Sequence, residues 1–273
     1  MINFIKEKVK FVKIETLKLH KIEPIVRIAS SMSCVEIFTI LYYGKLIKYN
    51  PSQPLDDNRD RIIVSKAHGS ICLYPILADL GFFSFQNLMT IGQKNSFLGT
   101  IPEPTIPGYE TINGSLGHGL GLACGSAMAL QKLNKKNKVV VVCGDGELNE
   151  GSVWEAIMFA GHHKLNNLLL IIDFNKASML GFVRDIIDLN PIKDKFKVFN
   201  WEVFEIKNGH NIKESYKVLE EAINFNAEKP KVVISHTIKG NGIKNLENNP
   251  LSHVLSINPD DIDGIIEEIL NEY

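Results

Sequence analysis

The sequence predicts an α/β fold, with a parallel sheet that carries helices on both faces, in a single domain over residues 1–273. Two continuous apolar runs of strand length, at 138–143 and 168–173, are typical of strands buried on both sides of a parallel sheet. Further strand candidates lie at 61–65, 203–206 and 231–237. Helical segments alternate with these runs, and that order is typical of a parallel sheet, in which ligands bind beyond the carboxyl ends of the strands.

The helical segments are indicated by apolar periodicity and by the residues that end them. The first 50 residues are predicted to be helical, and their most apolar part, 35–43, ends near Gly44. Residues 92–113 are irregular and suit either a functional loop or an ordinary connection. Residues 114–130 predict a glycine-rich loop entering a helix of small residues, to which a ligand or a neighbouring helix could come close. Further helices are predicted at 70–80, with Gly81 as its C-cap, and at 154–163 and 212–224.

The composition excludes several classes of protein. Apolar residues make up 45% and charged residues 22% of the chain, and the formal net charge is -1, so neither nucleic acid nor an anionic membrane is indicated as a general partner. No apolar run approaches a membrane span, and the amino terminus does not resemble a signal peptide. The cysteines form no CxxC pair, so neither a zinc site nor a redox motif is indicated, and we expect a cytoplasmic protein. They are Cys34, Cys72, Cys124 and Cys143.

Polar residues follow two of the predicted strands directly. Gly144, Asp145 and Gly146 come after the strand at 138–143, and Asn175 follows the next strand. Carboxylate and amide oxygens at the tips of adjacent parallel strands can converge on one ion, and Mg²⁺ prefers such ligands together with phosphate oxygens. A tight turn followed by a helix cap is the alternative interpretation of the same residues. A calcium-binding EF-hand loop is a poorer one, because the glycine that it requires is here a glutamate.

A longer pattern resembles a known family. Residues 144–176 read GDGELNEGSVWEAIMFAGHHKLNNLLLIIDFNK and are similar to the thiamine diphosphate motif of transketolases, GDGE-x-x-EG-x-x-WEA, then H-x-L-x-N-L, then D-x-N. The segments SSMSCVEIFTILYYG, VSKAHGSICLYPILADLGFF and PGYETINGSLGHGLGLACGSAMA also resemble transketolase segments, in the same order along the chain. The resemblance covers nearly the whole chain and implies the diphosphate-binding domain of that family.

The resemblance implies a site for thiamine diphosphate and Mg²⁺. Asp145, Asn175 and the backbone carbonyl of Ala177 would bind the Mg²⁺ ion. Glu150 and Glu155 would belong to a carboxylate network at a subunit interface. The residues implied to contact the cofactor are His68, Gly114, Leu116, Gly144, Asp145, Gly146, Glu147 and Asn175.

Three residues are candidates for catalysis. His68 is implied to reach the diphosphate or the reacting carbon, although it could instead cap the following helix, and His253 is implied at the mouth of the site. Two histidines that handle the donor ketose in the family are replaced here by Arg27 and Thr100. Arg27 carries a forked cation suited to a carboxylate, which suggests a 2-oxo acid donor such as pyruvate. A structural salt bridge is the alternative role of Arg27.

The resemblance also implies a partner. In transketolases, the glutamate that activates the cofactor lies in a pyrimidine-binding domain, in the second half of the protein, and no counterpart of that half is found in this chain. We therefore expect a C-terminal transketolase-like subunit that supplies this domain, in a heterotetramer with two copies of each subunit. The expected reaction is transfer of a two-carbon ketol unit between sugar phosphates. The alternatives are acyl transfer from a 2-oxo acid to a sugar and a non-catalytic binding subunit.

Overall fold

A parallel sheet lies at the centre of the chain, in a computed structural model that describes residues 1–111, 114–226 and 228–272. Among these residues the sheet has five strands, in the spatial order β1-β2-β3-β5-β4, and every neighbouring pair is parallel. The strands are β1 (Arg61–Val64), β2 (Val139–Gly144), β3 (Leu168–Phe174), β4 (Glu202–Ile206) and β5 (Lys231–His236). The predicted parallel α/β fold is confirmed, and each predicted strand end lies within one residue of the observed one.

Helices cover both faces of the sheet and bury two separate apolar clusters. Adjacent residues of a strand point to opposite faces, so Val140 of β2 packs into one cluster and Val141 into the other. The helices are α1 (Ile2–Ile22), α2 (Ile28–Met32), α3 (Val35–Tyr43), α4 (Leu73–Asp79), α5 (Gly119–Lys132), α6 (Gly151–His162), α7 (Val183–Ile186), α8 (Ile192–Val198), α9 (Ile212–Asn224) and α10 (Ile262–Glu272). The first cluster lies under α1, α3 and α9, and the second under α5 and α6. This burial on both faces explains why β2 and β3 are continuously apolar.

Some predicted helix boundaries were wrong. The helical amino-terminal region is divided at Pro24, which lacks a backbone N–H and disfavours a helical conformation at the preceding Glu23. The helix predicted from residue 70 begins at Leu73 instead, because a separate 3₁₀ turn occupies Ala67–Gly69. The irregular segment predicted at 92–113 has no helix or strand from 92 to 111, and its last two residues lie outside the described part.

Register places the ends of β2 and β3 together. Gly144 pairs with Asp173, so Asp145 begins the segment beyond β2 beside the end of β3. The backbone N–H of Asp145 donates to the carbonyl of Asp173 at 3.3 Å, which continues the ladder beyond the last pair. The four cysteines are buried free thiols. Within the described residues, no helix combines the length and apolar character needed to cross a membrane.

Candidate active site

A cavity of about 470 Å³ lies at the carboxyl edge of the sheet, where β2 and β3 end. Its lining includes every residue that the sequence pattern implied for cofactor binding, from the first loop at His68 to Asn175. Ala177, Glu150 and His253 also line it, whereas Thr100 is not among its lining residues. The structure therefore brings together segments that are far apart in the chain, at the place that the strand order predicts.

Asp145 is a buried carboxylate whose bonds are made mainly to backbone. Its Oδ1 atom accepts from the N–H of Gly146 at 2.8 Å, and its Oδ2 atom accepts from the N–H of Lys176. Burial, and then the negative charge of Asp173, raise the pKa of Asp145 to about 7. No ion pair to this carboxylate is found in the described part of the chain. Asp145 therefore has no ion pair among these residues, and the charge of Lys66 lowers its pKa less than burial and Asp173 raise it.

Asp173, the neighbouring carboxylate, is paired on several sides. It forms a buried ion pair with Lys66 and accepts hydrogen bonds from Ser33 Oγ at 2.7 Å and from the hydroxyl of Thr237. Burial alone would raise the pKa of Asp173, but the ammonium of Lys66 and these donors hold it well below its usual range. Asp173 therefore forms the charged centre of a structural network beneath the cavity.

The same network orients Asn175. The Nδ2 group of Asn175 donates to Asp173 Oδ2 at 2.8 Å, and an ionised carboxylate can only accept. The amide oxygen of Asn175 therefore faces away from Asp173 and accepts from the N–H of Ala177 at 3.1 Å. Asn175 and Asp145 thus present oxygen atoms at the tips of two adjacent strands, as the sequence predicted.

Two lysines in the cavity were missed by the sequence analysis. Lys66 and Lys239 are 2% and 5% exposed, and each follows the carboxyl end of a strand, Lys66 after β1 and Lys239 after β5. Lys239 Nζ donates to the carbonyl of Ala177 at 2.8 Å and lies 3.1 Å from Nδ1 of His253. Burial, and then the charge of Lys66, lower the pKa of Lys239 to about 8. The strand-end rule that selected Asp145 would have found both lysines.

The two candidate catalytic histidines face each other. The rings of His68 and His253 form an edge-to-face pair with centroids 4.8 Å apart. Burial and nearby lysine charges lower the pKa of His68 to about 2 and that of His253 to about 4, so both rings are neutral near pH 7. The alternative that His68 caps the following helix is wrong, because Cys72 is the N-cap residue of α4.

Arg27 is the N-cap residue of α2 and, unlike the two histidines, is not among the residues that line the cavity. Its positive charge contributes to the lowered pKa values of both His68 and His253. The guanidinium makes no ion pair or hydrogen bond with any residue that the structure describes. The structural salt bridge considered for Arg27 is therefore not found there.

Glu147 connects two of the cavity-forming segments. Its carboxylate accepts from the N–H of Gly117 at 2.9 Å, from the N–H of Gly144 at 3.3 Å and from the hydroxyl of Ser65. Glu147 therefore holds the glycine-rich loop against the ends of β1 and β2. Its three hydrogen bonds are internal, although the residue also lines the cavity.

The residues present fit a diphosphate bound to a divalent cation. The buried Ser30 Oγ and Asn149 Oδ1 atoms line the cavity and have no hydrogen-bond partner in the described structure, so they are available to a ligand. Gly114 has a φ of +144°, and no atom lies within 4 Å of the position that a Cβ would take. Two oxygen-bearing strand tips, two lysines and open glycine backbone are suited to magnesium and phosphate groups.

Comparison with known proteins identifies the class to which this site belongs. Residues 27–269 match the family described as "Transketolase, thiamine diphosphate binding domain". The chain therefore belongs to the transketolase family and carries its thiamine diphosphate-binding domain. The solved structure of transketolase from Campylobacter jejuni superposes with a TM-score of 0.81 and 30% identity, over 96% of this chain and 42% of that one.

The chain matches transketolase subunits of about its own length and also much longer transketolases. One of the subunits of the apulose-4-phosphate transketolase of Phocaeicola vulgatus is 36% identical over 81% of this chain and 77% of its own length. The 6-deoxy-6-sulfo-D-fructose transketolase subunit of a Clostridium species is 34% identical over 90% of this chain and 88% of its own. Human transketolase is 32% identical over 89% of this chain, but this chain covers only 38% of it. The chain thus corresponds to the N-terminal, cofactor-binding subunits of split transketolases.

Proposed function

We propose that this chain, as one diphosphate-binding domain over residues 1–273, is the N-terminal subunit of a thiamine diphosphate-dependent transferase. The enzyme moves a two-carbon ketol unit between sugar phosphates. The observation that carries the proposal is the buried Asp145, which has no ion pair among the described residues, beside the oriented amide of Asn175. Relatives named for apulose 4-phosphate and for a sulfo-sugar support a phosphorylated or otherwise anionic sugar as substrate.

Magnesium would be held by Asp145, Asn175 and the carbonyl of Ala177. That carbonyl accepts from Lys239, whose ammonium is therefore placed to balance the charge of a diphosphate. Gly144 and Gly146 would let the backbone lie against the same diphosphate. Backbone of Gly114 and Leu116 would contact the aminopyrimidine.

The cofactor, when bound, stabilises negative charge on the carbon being transferred. The chain's own contribution is to bind, orient and handle protons. Neutral His68 and His253 can donate or accept hydrogen bonds at substrate hydroxyls without the cost of charging a buried ring. Lys66 keeps Asp173 ionised, and Asp173 in turn orients the amide of Asn175.

The partner is proposed to be a C-terminal transketolase-like subunit that contributes the pyrimidine-binding domain and the activating glutamate. Glu150 and Glu155 are exposed near or on α6. Three exposed apolar side chains lie on α5 and α6, namely Leu122, Met158 and Phe159. An apolar surface with two carboxylates suits burial against that subunit. We propose a heterotetramer in a reducing cytoplasm, which also suits four free thiols.

A second candidate reaction rests on Arg27, whose unpaired guanidinium acts through its charge on His68 and His253. A planar cation at this position suits the carboxylate of a 2-oxo acid, so the donor would be pyruvate or a similar acid that loses carbon dioxide. The acceptor would then be a sugar. This candidate uses the same cofactor site and differs only in the donor.

Steady-state turnover tests both candidates. The chain would be co-purified with the pyrimidine-domain subunit from a neighbouring reading frame, then assayed with Mg²⁺ and thiamine diphosphate on xylulose 5-phosphate or pyruvate. We expect turnover of the ketose. Carbon dioxide release from pyruvate alone would establish the second candidate instead, and cofactor binding without turnover of either donor would indicate a non-catalytic subunit.

The Arg27 variants sharpen this assay. If pyruvate is the donor, R27A should lower kcat/KM for pyruvate roughly 10- to 100-fold, because one charge-assisted contact is lost. The matched variant R27H restores the residue type that other transketolases use and should favour the ketose. Pyruvate turnover that R27A leaves unchanged would exclude Arg27 as the carboxylate-binding residue.

A further inference from the structure

A buried cluster of charged and polar side chains lies against the first apolar cluster. Glu36 of α3 is 1% exposed, and its Oε1 atom lies 2.9 Å from Nζ of Lys13 on α1. Its Oε2 atom lies 3.1 Å from Nδ1 of His210, which precedes α9. Burial alone would raise the pKa of Glu36, but Lys13 and His210 lower it to about 2. The carboxylate is therefore ionised, with one oxygen atom close to each of the two partners.

Both partners of Glu36 also bind the loop that follows β5. Nε2 of His210 accepts from the backbone N–H of Ile238 at 2.8 Å. Lys13 Nζ donates to Oδ1 of Asn241 at 2.6 Å. The loop is thus held one residue before and two residues after Lys239.

These contacts determine the tautomer of His210. The N–H of Ile238 can only donate, so Nε2 of the ring must carry a lone pair. The ring proton then lies on Nδ1, which is 3.1 Å from Oε2 of Glu36 but does not meet it in hydrogen-bond geometry. His210 therefore lies between a buried carboxylate on α3 and a backbone amide in the loop after β5.

The position of the loop decides where Lys239 reaches. A lysine side chain has four flexible bonds, so its ammonium is placed only if the backbone beneath it is fixed. The amide of Gly240 also donates to the carbonyl of Ala29 at 2.9 Å, which holds the loop against α2. With the loop so placed, Lys239 Nζ contacts the carbonyl of Ala177 and the ring of His253.

We propose that His210, which lies next to the buried carboxylate of Glu36, is a positioning residue that places Lys239 in the cofactor cavity through the N–H of Ile238. Lys13 and Asn241 perform the same task on the other side of Lys239. The consequence for cofactor affinity rests on the proposed function, whereas the consequence for the loop does not.

Two matched variants separate the contacts of His210. An asparagine amide falls near the position of Nδ1, so H210N keeps a donor for Glu36 and loses the acceptor for Ile238. A glutamine amide reaches the position of Nε2, so H210Q keeps an acceptor for Ile238. We expect amide hydrogen exchange at 238–240 to become faster in H210N than in H210Q, measured on the whole chain without cofactor.

Affinity for thiamine diphosphate with Mg²⁺, measured by calorimetry, is the second measurement. The dissociation constant should rise roughly five- to tenfold in H210N and remain near wild type in H210Q. In a K239A background, H210N should add little, because both changes remove one interaction. N241A is the alternative variant if H210N does not fold, and it should also speed exchange at 238–240.

Equal exchange at 238–240 in H210N and H210Q would overturn the proposal, as would additive effects of H210N and K239A. If the wild-type chain does not bind the cofactor, the proposed function fails, and the exchange comparison still decides whether His210 positions the loop.

Discussion

Asp145 and Asp173 lie at the ends of neighbouring strands, and both are buried, yet their surroundings are opposite. Asp173 has an ammonium, two hydroxyls and an amide around it, and its pKa is held below the usual range. Asp145 accepts from backbone N–H groups and has no ion pair among the described residues, and its pKa is raised to about 7. The same residue type is therefore a paired structural charge at one strand end and the proposed metal ligand at the other.

The contrast between the two carboxylates indicates which groups of the cavity can still bind a metal ion or another ligand. A buried carboxylate that already has a cation gains little from a metal ion, whereas one without a cation gains both a partner and a lower pKa. The orphan Ser30 Oγ lies in the same cavity as Asp145. Groups that lack a partner, such as Ser30 Oγ, therefore indicate where a ligand binds. The paired groups around Asp173 stabilise the structure beneath the cavity.

The largest expected effect is a loss of stability when Asp173, the paired carboxylate, is replaced. Replacing Asp173 by Asn leaves Lys66 buried without its counter-charge, so the free energy of unfolding should fall by about 3–5 kcal/mol. Urea unfolding measures the change. The double variant D173N/K66M removes both charges and should recover most of the loss. A loss below about 1 kcal/mol in D173N would show that the ion pair does not support the site.

The next effect is a loss of cofactor affinity when Asp145 is replaced. D145N removes the charge while keeping the shape, but its amide can accept from only one of the two backbone N–H groups that Asp145 binds. We therefore expect the free energy of unfolding of the cofactor-free chain to fall by about 1–3 kcal/mol. Affinity for thiamine diphosphate with Mg²⁺ should fall about 100-fold or more, which corresponds to about 2.8 kcal/mol. Calorimetric titration measures it. Unchanged affinity in D145N would place the metal elsewhere.

The smallest effect is a pH dependence that should distinguish the two carboxylates. Mg²⁺ must displace the proton of Asp145, so cofactor affinity should weaken below pH 7, approaching tenfold per pH unit. The folded pKa exceeds the unfolded value, so the cofactor-free fold binds an extra proton between about pH 4 and 7. The stability gained from that proton is lost as pH rises through 7. The pH dependence of cofactor affinity and that of the free energy of unfolding should both disappear in D145N. A pH dependence that persists in this variant would come from another titratable group.

The success of the sequence analysis differs between the two carboxylates. Asp145 and Asn175 were predicted because a polar residue directly after an apolar strand must lie at the carboxyl edge of the sheet. Asp173 was placed inside the predicted strand, and nothing in LLLIID indicates the ammonium beside it. Lys66 comes from a loop 107 residues away, and no local pattern predicts that distance.

The sequence by itself determined the parallel fold, the strand positions and the oxygen atoms at the tips of β2 and β3. These follow from local apolar periodicity and from the direction of parallel strands. Only the tertiary structure decided which carboxylate has a cation, that His68 faces His253 and that Arg27 is unpaired among the described residues. Such properties depend on distances between segments far apart in the chain, because charge, burial and hydrogen bonding act through space.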